Sequence, residues 1–521
     1  MADYVFCDFE FNDRQVVLAC FLDDEGNETS FDLRGGMGRA ALQAFVDRHT
    51  GAIFVAYAAK AEMESFLRAG VNITPLRFID LGAEANMISG THPRYWVPKG
   101  SLLEHLRVFG VAALVDDDHK ARMRHLIITN DTYTREQWRS IVRYCHSDVE
   151  VLPALFCAII EVHQRIGTAW EKAHAIYRGE YLKASAILEH RSPGLPVDVA
   201  WIRMIFENKT AISNALAAQC NSHYGEAIYR FDRLRSRYAF SHSGLKACLD
   251  RLPYPIEWEL TAAGSRRKLD NDYLDELVKT YPELTEFKRT RNALAQLNGG
   301  DLRDLVTPSG HVRPVSLPFY TKTGRNQPMA ARGFLLNLAP WLRSTIRPHA
   351  GQVLVAADWS KQEIAIAAAL SGDQALLDAY NTGDIYLALA KMAGAVPVDA
   401  TAKSHPDERQ AYKSVQLGLG YGMGPESLAR SIFNDINQGK PAPVISIEEA
   451  RLKARGIYRW HKETFVAYWR YLEQEAHAAR KDGYTTSMDG WFYFADRRTP
   501  RTRLMNYPMQ SNGAAMLREA V

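Results

Sequence analysis

Nowhere in its 521 residues does the chain hold an apolar run approaching the ~20 residues of a membrane-spanning helix. Its six cysteines (Cys7, Cys20, Cys145, Cys157, Cys220 and Cys248) form no CxxC pair and no close Cys/His cluster. A structural zinc site and a disulfide framework are therefore not expected, and a reducing cytoplasm fits. The opening MADYVFCDFEF carries acids and lacks the basic start of a signal peptide. Internal repeats and low-complexity tracts are missing too. Net charge is only +3, so the total gives no sign of a polyanionic partner. What remains is an ordinary globular composition, 47% hydrophobic and 24% charged. On a prior of roughly 100–200 residues per domain, three or so domains are expected.

Residues 1–165 read as α/β. Short β-rich runs (YVFCDFEF, VVLACFL, AIFVAY) alternate with helical patterns such as AEMESFLRAG. From 166 to 300 the pattern is mostly helical, and Leu274, Leu277, Val278 and Tyr281 share one helix face. GGDLRDLVTPSGHVRP, with its glycines and prolines, marks a boundary near 300.

Local charge then departs from the average. From Leu305 through Ala357 there is no Asp or Glu, while Arg313, Lys322, Arg325, Arg332, Arg343 and Arg347 fall inside the stretch. A solvated basic face is one reading. A surface that tracks a polyanion is the sharper one. The stretch ends on an apolar run and a lone carboxylate, LVAADWSKQEIAIAAALSGD, which reads as a strand closing on Asp358 and followed by a helix.

Asp8 and Glu10 in CDFEF occupy alternate strand positions, so both carboxylates point to the same side and can converge on one cation. An exposed strand edge would give the same pattern. In YCHSDVEVL, Tyr144 and Asp148 are four apart on a helix and share a face. Together these residues resemble the proofreading 3′–5′ exonucleases of the acidic, tyrosine-containing type, which have an RNase H-like fold. In FVAYAAKAEMESF the family's asparagine position holds Ala58 and its aspartate position holds Glu62. Glu64 is an outside candidate, and Asp80 in FIDLG reads as structural. The resemblance implies catalytic roles for Asp8, Glu10, Glu62, Tyr144 and Asp148. The four carboxylates would hold two divalent ions, and Tyr144 would orient the attacking water. Hard oxygen ligands imply Mg²⁺ or Mn²⁺.

DWSKQE resembles the first palm motif of family A DNA polymerases, the DNA polymerase I type. Asp358 falls at that family's metal-binding aspartate and Glu363 at its steric gate, which crowds the sugar 2′ position. In RQAYKSVQLGLGYG, Arg409, Lys413, Leu417 and Tyr421 recur every four residues and line one helix stripe. Two cations on one stripe suit a triphosphate. The stripe resembles the family's fingers helix, with Arg409 and Lys413 on the phosphates and Tyr421 at the base pair. Leu417 replaces a common aromatic. RLMNYPMQSNGAAMLREA resembles a further palm segment, with Asn506 and Gln510 at the template–primer minor groove. TKTGRNQP places Arg325 near the primer terminus, and GDIYLALAK leads into the fingers.

The resemblance spans nearly the whole chain, in the order exonuclease, thumb, palm, fingers, palm, and implies the form with an exonuclease domain and no 5′-nuclease domain, as in many phages. Its implied fold is α/β and α+β multidomain, an RNase H-like exonuclease domain followed by a right-hand polymerase. The expected limits are 1–165 for the exonuclease domain, 166–300 for connector and thumb, 301–380 for palm, 381–470 for fingers and 471–521 for the returning palm. The family's later His-Asp palm hairpin is expected beyond NYPMQ, where the sequence reaches Val521. SHPDERQ is a decoy, with Asp407 read as an N-cap, and Asp482, Asp489 and Asp496 sit in turn-like or basic contexts. A fragment of a longer gene, a split polymerase completed by a second polypeptide, or an inactive polymerase site would each account for this, in that order. Expected partners are primer–template DNA and dNTPs, in a bacterial or phage-infected cell. Expected cofactors are two Mg²⁺ or Mn²⁺ ions per active site. The alternatives are a 3′–5′ exonuclease on a polymerase-like DNA-binding platform, and a non-enzymatic DNA-binding subunit.

Overall fold

A computed structural model describes residues 3–98, 100–251, 256, 258–261, 267–298, 302–329, 340–420, 422–437 and 444–521. The chain divides into two compact units. One comprises Met1–Ser192, Ser316–Gln327 and Glu473–Val521, and the other Pro193–Val315 and Pro328–Leu472. Among the described residues no helix is long and apolar enough to cross a membrane. All six cysteines are free thiols.

The first unit is built on a five-stranded sheet of β1 (Tyr4–Phe11), β2 (Val16–Asp23), β3 (Glu28–Asp32), β4 (Ile53–Ala56) and β5 (Arg77–Asp80). Its order is β3-β2-β1-β4-β5. β1–β2 and β2–β3 are antiparallel, whereas β1–β4 and β4–β5 are parallel. The helices are α1 (Gly36–Arg48), α2 (Ala59–Arg68), α3 (Leu81–Ser89), α4 (Leu102–Phe109), α5 (Asp117–Thr129), α6 (Arg135–Glu150), α7 (Leu152–Arg165) and α8 (Lys172–Arg191). β2 reads VVLACFLD, and its first six residues are all buried. Such a continuous apolar run is what a strand covered on both faces requires.

β1 is two-sided. Val5, Cys7 and Phe9 face an aromatic core in which Phe9 meets Phe66 at 4.6 Å and Phe21 at 5.9 Å between ring centroids. Phe6, Asp8 and Glu10 alternate onto the other face. Phe6 there joins a cluster with Ile141, Tyr144, Cys145 and Leu155 from α6 and α7. Two carboxylates on an otherwise apolar face lie against the helix that carries Tyr144 and Asp148. The opposite edge is fixed by close backbone approach. A Cβ on Gly179 of α8 would stand 1.9 Å from the Phe78 carbonyl oxygen of β5, so only glycine fits.

The second unit is mostly helical. Leu274, Leu277 and Val278 are buried with Phe287, Tyr229 and Leu245 in one core, and the half-buried Tyr281 packs against it. The helix Pro406–Gly420 buries Val415 and Leu419 against Leu428, Ile432 and Ala450. A β-hairpin, Tyr229–Asp232 with Arg237–Phe240, was not expected in this helical region.

Two local expectations are corrected. Residues 353–358 form no strand. Val353 and Val355 are 81% and 86% exposed, and the apolar run has no ladder partner among the described residues. Asp407 is not an N-cap. The helix begins at Pro406, so Asp407 lies inside the first turn, where its charge complements the helix dipole.

Candidate active site

Among the described residues, a cluster of chemically active side chains lies where β1 meets α6. Ligand-capable atoms of Asp8, Glu10 and Cys145 all fall within 4.8 Å of one another. The Cys145 thiol donates to Asp8 Oδ2 at 3.6 Å and lies 3.5 Å from the Asp8 carbonyl oxygen. One turn further along α6, Asp148 Oδ2 accepts from Lys120 Nζ of α5 at 2.9 Å. Tyr144 is buried on the same face, its ring 5.9 Å from Lys120 Nζ. Glu62 enters from the first turn of α2 and is buried. Its Oε2 has no hydrogen-bond partner.

These groups feel one another. Burial first, and then the Asp148 charge, push the Asp8 carboxyl up to about 8. Burial and the Asp8 and Asp148 charges raise Glu10 well above the carboxylate range. Burial, Asp8 and Glu10 do the same to Glu62. Burial raises the Tyr144 phenol, with Asp148 next. Lys120, the cation acting on both Asp8 and Glu10, only partly offsets the repulsion. Several carboxyl groups thus share a site whose negative charge Lys120 does not balance, and one of their oxygens, Glu62 Oε2, is orphaned. The carboxylates of this donor set fit hard divalent cations, which Asp8 and Glu10 would hold together with Glu62 and Asp148.

A pH dependence follows. An unfolded aspartate titrates near 3.9, whereas folded Asp8 holds its proton to about 8. The folded chain therefore binds more protons in this window. Stability from this group is full below about 4 and is lost as pH rises towards 8. A divalent cation replaces those protons. The rise in Tm on adding Mg²⁺ or Mn²⁺ is expected to grow from pH 6 to pH 9, with proton release visible by calorimetry in buffers of different ionisation enthalpy. A metal-induced shift that is flat with pH would contradict the cluster's assignment.

The turn into α2 shows how Ala58 is accommodated. Ala58 is the N-cap of α2 with φ +60°, in the left-handed region. Its amide donates to Asp80 Oδ1 at 3.0 Å. Asp80 also caps α3 through the Gly82 and Ala83 amides, so its role here is structural. Left-handed geometry costs alanine about 1–2 kcal/mol, and glycine's extra chain entropy offsets about half of that. Ala58→Gly is expected to stabilise the chain by about 0.5–1 kcal/mol in denaturant melts. Glu64 does not join the cluster; its side chain is 44% exposed and lies 3.7 Å from Lys60 Nζ.

The residues expected at the second centre are found on several elements of the described structure. Asp358 is exposed in the segment without assigned secondary structure. Glu363 lies half-buried in the first turn of the helix Gln362–Ser371. Arg409, Lys413 and Leu417 share the helix Pro406–Gly420. Arg409 Nε is held by Asp384 Oδ2 at 2.6 Å, so an anion must compete with that carboxylate. Tyr421 lies outside the described residues. In the first unit, Asn506 and Gln510 sit half-buried one turn apart on the helix Arg501–Ala520. Arg325 is exposed in a turn fastened by Thr321 Oγ1.

Sequence reasoning missed Lys120, Cys145 and Asp384. Cys145 adjoins Tyr144 but, one residue round the helix, carried no spacing signal. Lys120 follows a run of three aspartates (Asp116, Asp117, Asp118) that reads as a solvated helix start.

Comparison with known proteins bears on the C-terminal half. The model for DNA polymerase family A matches residues 268–521. DNA polymerase I of Mycobacterium tuberculosis (strain CDC 1551 / Oshkosh) is 28% identical over 240 residues, covering 42% of this chain and 25% of that protein. The DNA polymerase of Mycobacterium phage D29 is 28% identical over 196 residues, 37% of this chain and 29% of that one. The matches thus span only about a quarter of the length of these relatives. A solved structure described as the POL domain of Pol1 from M. smegmatis in complex with DNA primer-template and dNTP shares the fold. Its TM-score is 0.69 over 99% of this chain and 83% of that chain, at 20% identity.

Proposed function

Residues 268–521 belong to DNA polymerase family A, and from that premise we propose that the chain is a DNA-directed DNA polymerase whose N-terminal residues 1–165 form a 3′–5′ proofreading exonuclease of RNase H-like fold. The observation that carries the second half of this reading is the carboxyl cluster of Asp8 and Glu10 beside Asp148, Tyr144 and the orphaned Glu62. Bound Mg²⁺ or Mn²⁺ would supply charge stabilisation at the phosphate and an activated water. The chain's own groups do the rest. Tyr144 positions the water, its neutral phenol kept protonated by burial. Lys120 holds Asp148 in one orientation.

In the polymerase reaction a primer 3′-hydroxyl attacks the α-phosphate of a dNTP in line, and pyrophosphate leaves. Asp358 would hold a metal there. Arg409, released from Asp384, and Lys413 would bind the triphosphate, with Leu417 against the sugar and Tyr421 at the base pair. Glu363 would crowd the 2′ position. Arg325, Asn506 and Gln510 would contact primer–template DNA.

Primer extension and digestion of a 3′-labelled strand, run on the same preparations, test both halves. Extension lost in Asp358→Asn but retained in Asp8→Ala/Glu10→Ala supports the reading, and unaltered extension in Asp358→Asn defeats it. A second reading, an exonuclease on a polymerase-like DNA platform, is favoured by the contrast between the two centres. The carboxyl cluster is assembled, while Asp358 is exposed in a segment without helix or strand. A chain that binds primer–template and digests it, yet adds no nucleotide, selects that second reading. The comparisons lend no support to a second polypeptide.

A further inference from the structure

The second unit holds a pair of histidines that neither reaction uses. The segment Leu195–Asp198 is hydrogen-bonded along both edges. On one edge the strand Leu195–Pro196 pairs with His311–Val312, and the Val197 amide donates to the Gly310 carbonyl at 3.1 Å. On the other edge the Asp198 amide donates to the Thr345 carbonyl at 2.8 Å, and the Arg347 amide donates to the Pro196 carbonyl at 3.2 Å. His311 lies on the first flanking segment, and His349 follows the second. Their rings close the span between the two edges, Nε2 to Nε2 at 3.2 Å.

That distance has a chemical meaning. Two imidazole nitrogens, each 2.0–2.1 Å from one tetrahedral ion, stand about 3.3–3.4 Å apart. The ring centres are 4.8 Å apart, with planes at 67°. This is less than the nitrogen separation plus a ring radius at each end, so the imidazoles are canted and not end to end. An N–H···N bond is strongest when it is straight. His311 is also oriented from behind. Its Nδ1 lies 3.1 Å from Ser309 Oγ, which lies 3.0 Å from Thr307 Oγ1. The His311 amide donates to Thr307 Oγ1 at 3.1 Å and closes the turn. With the polarity Nδ1–H to Ser309 to Thr307, His311 Nε2 carries a free lone pair. An imidazole whose other nitrogen donates to a fixed oxygen is the usual arrangement of a metal-binding histidine. His349 is exposed, and its ring lies beside Gly310, where a Cβ would stand 3.7 Å from the ring's Cε1. Arg347, two residues before His349, faces Asp198 Oδ2 at 3.6 Å.

We propose that His311 and His349 form a two-histidine site for a divalent transition-metal ion of the class that prefers imidazole, such as Zn²⁺ or Cu²⁺, with solvent filling the remaining positions. The ion would pin the strand at His311 to the turn at His349, nine residues before Asp358. Hard Mg²⁺ prefers oxygen and does not enter. The site shares no residue with the carboxyl cluster and stands independently of the polymerase and nuclease readings.

The test is a calorimetric Zn²⁺ titration of the tag-free, chelator-stripped full chain in excess Mg²⁺. It is run on Asp8→Ala/Glu10→Ala, which removes the carboxyl cluster, and on His311→Ala and His349→Ala in that same background. The chain with both histidines is expected to take up one equivalent more than either histidine variant. Ser309→Ala, which removes only the orienting hydroxyl, is expected to weaken that equivalent by about tenfold. Cu²⁺ is expected to show paramagnetic resonance couplings to two nitrogens, lost in either histidine variant. His190→Ala, at an exposed histidine of the other unit, is expected to keep both signals. Thermal melts in chelator check folding. Because His349 is exposed, its variant is expected to melt as the parent does, and the comparison rests on it. Zn²⁺ uptake unchanged by His349→Ala overturns the site, whatever His311→Ala does, and leaves the pair an imidazole–imidazole hydrogen bond.

Discussion

Asp8→Ala combined with Glu10→Ala is expected to abolish Mg²⁺-dependent 3′ digestion of single-stranded DNA, by at least about 10³-fold. The magnitude follows from the several kcal/mol that bound metal supplies to phosphoryl transfer, at 1.36 kcal/mol per tenfold in rate. Both carboxylates come from one strand face, and the remaining proposed ligands, Glu62 and Asp148, would not by themselves enclose two cations. The double variant also separates a catalytic loss from a folding loss. Asp8 and Glu10 are pushed up by burial and by neighbouring carboxylates, so removing them relieves repulsion. The variant should therefore melt no lower than wild type at pH 8 without metal, and its metal-induced Tm shift should shrink. Loss of digestion with intact folding and a lost metal shift supports a metal-dependent nuclease. Unchanged digestion would remove the assignment of this cluster.

Parts of this site were legible because they depend on local period. Asp8 and Glu10 share a strand face by alternation, and Tyr144 and Asp148 share a helix face by the four-residue spacing. β2 was visible as a continuous apolar run. The contributions of Lys120 and Cys145 were not visible, because each depends on which helix face meets β1, and tertiary packing decides that. The strand expected before Asp358 shows the converse limit. LVAAD has the right composition, but a strand is defined by its ladder partner, and none is described beside Val353–Val355. The hairpin at Tyr229–Phe240 was hidden for another reason. YRFDRLRSRYAF carries no Asn-Gly or Gly turn signal, and its loop is closed by Asp232, Asn214 and a left-handed Ser236.

Asp489→Ala is expected to destabilise the first unit by about 3–5 kcal/mol, far more than removal of an exposed ion pair. Asp489 lies in the turn between the strands Tyr484–Thr486 and Phe492–Phe494. Its Oδ2 accepts from Arg518 Nε at 2.7 Å, and also from Arg518 Nη2. Arg518 Nη1 donates to the Gly324 carbonyl at 2.9 Å. The Asp489 carbonyl in turn accepts from Arg178 Nη1 at 2.8 Å, and Arg178 holds both oxygens of Glu84. All four charged residues are at least nine-tenths buried. The network therefore joins α3, α8, the turn at Gly324, the hairpin turn at Asp489 and the helix Arg501–Ala520, five segments scattered along the sequence. Alanine at 489 leaves the Arg518 guanidinium buried with one carbonyl partner, and an uncompensated buried charge is what makes breaking such a pair costly. By comparison, Glu473→Ala removes the exposed partner of Arg501 and is expected to cost at most about 1 kcal/mol. Urea midpoints of the two variants, followed by Trp fluorescence, give the comparison. The Arg518→Met/Asp489→Leu pair should recover much of the loss, because replacing both charges removes the unpaired one. Equal, small effects for Asp489→Ala and Glu473→Ala would mean that water reaches Arg518 and that the network does not hold these segments together.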